Sequence, residues 1–65
     1  MIRAEVFESR TGEFHPCLVA RRGRCIWQGT AYNERADALA AAEVERTARY
    51  IRLFLRSELR AEAHE

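Results

Sequence analysis

His15, Cys17, Cys25 and His64 are the only thiols and imidazoles in this 65-residue chain. A tetrahedral metal site draws four such groups together, usually through Cys-x-x-Cys or His-x-x-x-His spacing, and neither spacing is present. A Cys/His catalytic pair must converge in a cleft beside donors for an oxyanion, and a domain of this length has little room for one. The residues therefore predict no metal, no cofactor and no catalytic site. What remains is arginine chemistry. Arg21, Arg22 and Arg24 crowd around Gly23 in ARRGRCIWQG, residues 20–29, with Trp27 close behind. Guanidinium groups contact phosphates and an indole can stack on a base, so the cluster is a candidate nucleic-acid grip. A second group, Arg49, Arg52, Arg56 and Arg60 with Arg46 at its margin, recurs at helical spacing near Glu45, Glu58 and Glu62. Each group also has an ordinary reading, because hairpin tips are solvated and amphipathic helices carry a charged face.

The charge balance sets no direction by itself. Eleven basic residues, all arginine, meet ten acidic ones for a net charge of +1, so any attraction to a polyanion must be local. Nothing near the N-terminus reads as a basic segment leading into an apolar one, and no apolar run approaches the roughly 20 residues that span a bilayer. The expectation is a cytoplasmic protein with reduced thiols and no membrane partner.

The elements that carry these residues form a single domain over residues 1–65. Residues 2–9 hold Ile2, Val6 and Phe7 among charged neighbours and read as a strand, and RTGEFHP reads as a loop with a Thr-Gly turn and a proline. CLVARRGRCIWQGTAY gives two more short strands around Arg22-Gly23, where glycine supplies a positive φ. If the hairpin turns on those two residues, Leu18, Ala20, Cys25 and Trp27 share one face. Cys17, Val19 and Ile26 then share the other with Arg21 and Arg24, and the cysteines cannot pair. A three-residue loop instead places both cysteines on one face.

From Asn33 onward NERADALAAAEVERTARYIRLFLRSELRAEA has no glycine or proline. Asn33 is the expected N-cap, with Glu34 and Asp37 in the first turn of one long helix. The fold class is thus α+β: a three-stranded antiparallel sheet followed by a long C-terminal helix. A helix over residues 34–63 is about 45 Å long, whereas a seven-residue strand reaches only about 23 Å. The overhang is apolar. Val44, Ala48, Tyr50, Ile51, Leu53, Phe54 and Leu55 cover an arc of about 220°, against the roughly 100° stripe that covers one core. A second copy of the chain, meeting Tyr50, Ile51, Phe54 and Leu55, is the expected cover; a break near Ser57 that folds the helix back is the alternative.

Three strands followed by a helix opening GTAYNERADALAAAE resemble, over about residues 2–48, the arm-type DNA-binding domains of tyrosine recombinases. Tyr32 ends the third strand, and Ala36 and Ala40 lie on the early helix. That resemblance implies a sheet laid into the major groove of DNA. Gly29-Thr30 ahead of an alanine-rich helix also resembles the N-terminal part of HicB-type antitoxins.

Two functions from different classes follow. One helix leaves the second face of the sheet bare, and Val19 and Ile26 with an arginine rim suit a protein contact. The first expectation is a non-enzymatic homodimer that covers a surface of another protein or complex, as a phage or mobile-element inhibitor of a host system would. Its anchors are Ile26 or Trp27 on the sheet and Phe54 and Leu55 on the helix, with Val19 beside them and Arg22 and Arg24 at the rim. The second is a small DNA- or RNA-binding regulator that uses Arg21, Arg22, Arg24, Arg49, Arg52 and Arg56.

Overall fold

The computed structural model describes residues 1–63, with side chains described through Arg56. Of the residues singled out above, the side chains of Ser57, Glu58, Arg60 and Glu62, and all of His64, lie outside the described residues. Strands β1 (Arg3–Glu8), β2 (Phe14–Val19) and β3 (Cys25–Gln28) form one antiparallel sheet in the order β1-β2-β3, and helix α1 (Arg35–Ala63) follows. The α+β architecture expected from sequence is the one observed.

Strand β2 begins earlier than its sequence suggests. Phe14, His15 and Pro16 read as loop but continue the strand, with Val6 opposite Pro16 and Glu8 opposite Phe14. A proline in a central strand normally removes a ladder bond. Here the backbone groups of Phe14 exchange bonds with Tyr32 at 2.8 and 2.7 Å, and the Pro16 carbonyl accepts from Gly29 N–H at 2.9 Å. The missing N–H of Pro16 therefore falls opposite the irregular stretch after β3, where no ladder partner is lost.

Alternation sorts β1 and β2 into two faces. Ala4, Val6, Pro16 and Leu18 face the helix, while Arg3, Glu5, Phe7, His15, Cys17 and Val19 face away. Leu18 and Pro16 are fully buried, as are Ala38 and Ala42 on the helix. Two alanines at i and i+4 let the helix backbone approach the sheet closely, so a small contact seals a small core. The helix starts at Arg35, one residue later than expected. The carbonyl of Glu34 accepts from Ala38 N–H at 3.2 Å, which gives the cap position to Glu34 instead of Asn33.

Helix α1 runs unbroken from Arg35 to Ala63 and does not fold back at Ser57. At 29 residues it is about 44 Å long, and the molecule measures 54 × 23 × 13 Å. The helix packs on β1 and β2 and then continues past the sheet. Among the described residues, no helix is long and apolar enough to cross a membrane.

Candidate functional site

The β2–β3 hairpin closes on three residues. Ala20 N–H donates to the Arg24 carbonyl at 2.8 Å and Gly23 N–H to the Ala20 carbonyl at 3.2 Å. Between them Arg22 (φ 65°, ψ 21°) and Gly23 (φ 75°) are left-handed, a conformation that costs an arginine but not a glycine. The longer loop and a bulge go together: Leu18 lies opposite Trp27, yet Val19 lies opposite Cys25, so Ile26 is the extra residue. This corrects the two-residue turn. Cys25 leaves the face of Leu18 and Trp27 and joins Val19, which shares its face with Cys17.

The bulge also changes what the outward face offers. Val19 is only 8 % exposed and Cys17 only 7 %, because Arg3, Glu5 and Phe7 flank them from β1. Val19 is thus a filler of this face and presents little area to a partner. Ile26 is half-buried. Phe7 and His15 stack face to face at 5.1 Å, and the His15 Nδ1 lies 3.3 Å from the Gly29 carbonyl. Trp27 is on the helix side, half-buried, against Pro16 and Gly29. A Cβ at Gly29 would lie 2.8 Å from both Pro16 Cγ and Trp27 Cη2.

Because α1 covers β1 and β2 and leaves β3 largely uncovered, a groove of about 630 Å³ opens between Trp27, Pro16 and Tyr32 on one side and Ala41, Val44 and Glu45 on the other. Val44 also lines an adjoining shallow hollow with Ala40, Ala48 and Ile51. Beyond it the helix carries the residues named for a dimer contact: Ile51 is 54 % exposed, Phe54 64 %, Leu55 54 % and Tyr50 44 %. The sheet takes the opposite side of the helix. The line of Ala38 and Ala42 continues at helical spacing through Glu45, Arg49, Arg52 and Arg56, so the polar wedge follows the sheet side and the large apolar residues point away from it. Tyr50 is partly used within the chain, where its hydroxyl accepts from Ile2 N–H at 3.3 Å.

The two arginine groups, distant in sequence, border separate hollows on either side of the N-terminal residues. Arg21 and Arg22 border a hollow of about 370 Å³ with Met1, Arg3 and Ala20. Arg49, Arg52 and Arg56 border another, about 180 Å³, with Ile2 and Leu53. Residues 1–3 stand between the two. Part of this charge is already answered: the Glu45 carboxylate accepts from Arg49 Nε and from Arg52 at 3.1 Å each, and Glu5 pairs with Arg3 at 3.1 Å. Arg24 is exposed beside the loop. The hairpin arginines therefore hold the more accessible charge, and the helix arginines are partly spent on Glu45.

Both thiols are free; Cys17 is buried and Cys25 exposed. Burial, and then the neighbouring Cys25 and Glu5, push the Cys17 thiol above its ordinary value of 9.0. Among the described residues no group of three histidine, cysteine or acidic side chains is placed to hold a metal ion. Of the features above, sequence reasoning missed the Trp27 groove and the placement of the two arginine groups about residues 1–3, and it left the shared face of the cysteines open as the outcome of a longer loop. Their only local signals were Gly29 after Trp27 and the option of a longer hairpin loop. Comparison of the chain with family models, with curated proteins and with solved structures returns no match.

Proposed function

We propose that the chain is a cytoplasmic, non-enzymatic binding protein that pairs with a second copy through the outer side of α1 and, as a dimer, covers a surface of another protein or complex. The observation that carries this reading is the exposed row of Val44, Ile51, Phe54 and Leu55 on the side of the helix turned away from the sheet. The surface of the whole chain is the supporting argument. The chain exposes 5315 Å², whereas a compact monomer of 7.6 kDa exposes about 4300 Å². The excess, about 1000 Å², is close to the roughly 800 Å² that each partner contributes to a standard interface. Isologous pairing suits a single repeated patch, and the Trp27 groove, which adjoins this face at Val44, is left to meet another protein, with Ile26, Arg22 and Arg24 of the same hairpin as further contacts. A phage or mobile-element inhibitor is the setting such a small surface-covering dimer fits.

Light scattering at several concentrations tests the pairing. The protein should have twice the chain mass at micromolar concentration, and Ile51→Glu with Phe54→Glu should have the chain mass while keeping its helical circular dichroism. A wild-type protein of single-chain mass at every concentration would sink the dimer.

The placement of Arg21 and Arg22 on one side of residues 1–3 and of Arg49, Arg52 and Arg56 on the other favours a second reading, a small DNA- or RNA-binding regulator. On that reading a short duplex shifts in a gel at low salt, and the shift weakens steeply as salt rises. Arg21→Glu with Arg22→Glu should abolish it. A duplex that does not shift at low salt removes this reading and leaves the arginines as a solvated rim.

A further inference from the structure

Cys17 and Cys25 lie in neighbouring strands on one face, placed there by the bulge at Ile26. Cys25 is exposed and Cys17 buried; the Cys25 Sγ–H donates to the Trp27 carbonyl at 3.4 Å, and Cys25 lies opposite Val19, the neighbour of Cys17 along that face of β2. We propose that the two form a dithiol modification site, which closes to an intramolecular disulfide on reaction with a low-molecular-weight disulfide such as oxidised glutathione.

The exposures assign the order of events. Cys25 gives its proton to solvent, and its thiolate attacks one sulfur of the glutathione disulfide. That bond breaks, one glutathione thiolate leaves, and Cys25 carries the other glutathione as a mixed disulfide. Cys17 then loses its proton to solvent and attacks the Cys25 sulfur, breaking the mixed disulfide and expelling the second glutathione thiolate. Two protein thiols are oxidised and one glutathione disulfide is reduced to two thiols. Burial keeps bulky reagents away from Cys17, whereas Cys25 shares its face on the neighbouring strand. Because the Cys17 thiol is held above its ordinary range, the second step quickens in mildly alkaline solution.

The bridge ties β2 to β3 across the loop that carries Arg21 and Arg22, and so fixes the bulge and the aim of those arginines. The proposal goes beyond either reading of the function, since it requires neither a second copy nor a nucleic acid.

The test treats the folded wild-type chain with oxidised glutathione at mildly alkaline pH, blocks remaining thiols with an alkylating reagent and reads the intact mass. The expected product is one chain lighter by two hydrogens, with no alkyl group, and with a higher thermal midpoint that reductant reverses. Cys17→Ser should stop at a single glutathione adduct, and Cys25→Ser should stay unmodified while folded. A wild-type chain that stops at the adduct, keeps its Cys25 thiol open to alkylation, or links only to a second chain on a non-reducing gel overturns the proposal, whatever the variants do.

Discussion

Gly23 and Gly29 sit on either side of β3 and are needed for different reasons. Gly23 has φ 75° and open space where a Cβ would be, whereas Gly29 has Pro16 and Trp27 against it. Gly23→Ala therefore meets only the backbone penalty of a left-handed alanine, about 1 kcal/mol, which for a domain of this size lowers the melting temperature by about 4–8 °C. Gly29→Ala must displace the Trp27 ring or Pro16, so it should both destabilise and alter tryptophan fluorescence. Circular dichroism melts and emission spectra of the two variants check this: equal spectral changes in both, or none in Gly29→Ala, would show that Gly29 is not a packing glycine. Arg22 shows the same backbone logic from the other side. It holds a left-handed conformation without being glycine, a backbone cost of about 1 kcal/mol that the rest of the hairpin must sustain.

Strands and helix were legible in the chain to different depths. Alternation in residues 2–9, glycine at the hairpin and the absence of glycine or proline after Asn33 were enough to order β1, β2, β3 and α1, because each is a local signal. Pro16 hid the start of β2, since its tolerance depends on where β3 ends, which is a tertiary fact. The register of β3 turned on one residue of loop length, and a one-residue change reverses a face; hence Cys25 was misplaced while Trp27 was not. On the helix the wide apolar arc was plain, but not which side meets the sheet. Burial goes to Ala38 and Ala42, the small residues that allow close approach, and the larger Val44 and Ile51 are left outside. The placement of the arginine groups was illegible for a similar reason. The two groups are neighbours only through residues 1–3, which border the hollow of each, a neighbourhood no spacing in the sequence records.

The whole molecule is long for its length of chain. Its radius of gyration is 14.8 Å, against about 11 Å for a compact domain of 65 residues, and among the described residues the fully buried side chains are small in number and size: Leu18 and Pro16 with Ala38 and Ala42. Small domains are marginal when they bury so little, and a second subunit is one of the usual remedies. If the outer face of α1 is covered by a second copy, folding and association are linked, and dilution must lower the apparent stability by mass action. The melting temperature of the wild-type chain should therefore rise by several degrees over a hundredfold increase in concentration, while that of Phe54→Glu should stay low and constant. Scanning calorimetry, or dichroism in cells of different path length, measures both. A wild-type melting temperature independent of concentration, together with a single-chain mass, would mean that the sheet and the first turns of α1 hold the fold alone, and that the row from Val44 to Leu55 is kept exposed for a partner other than itself.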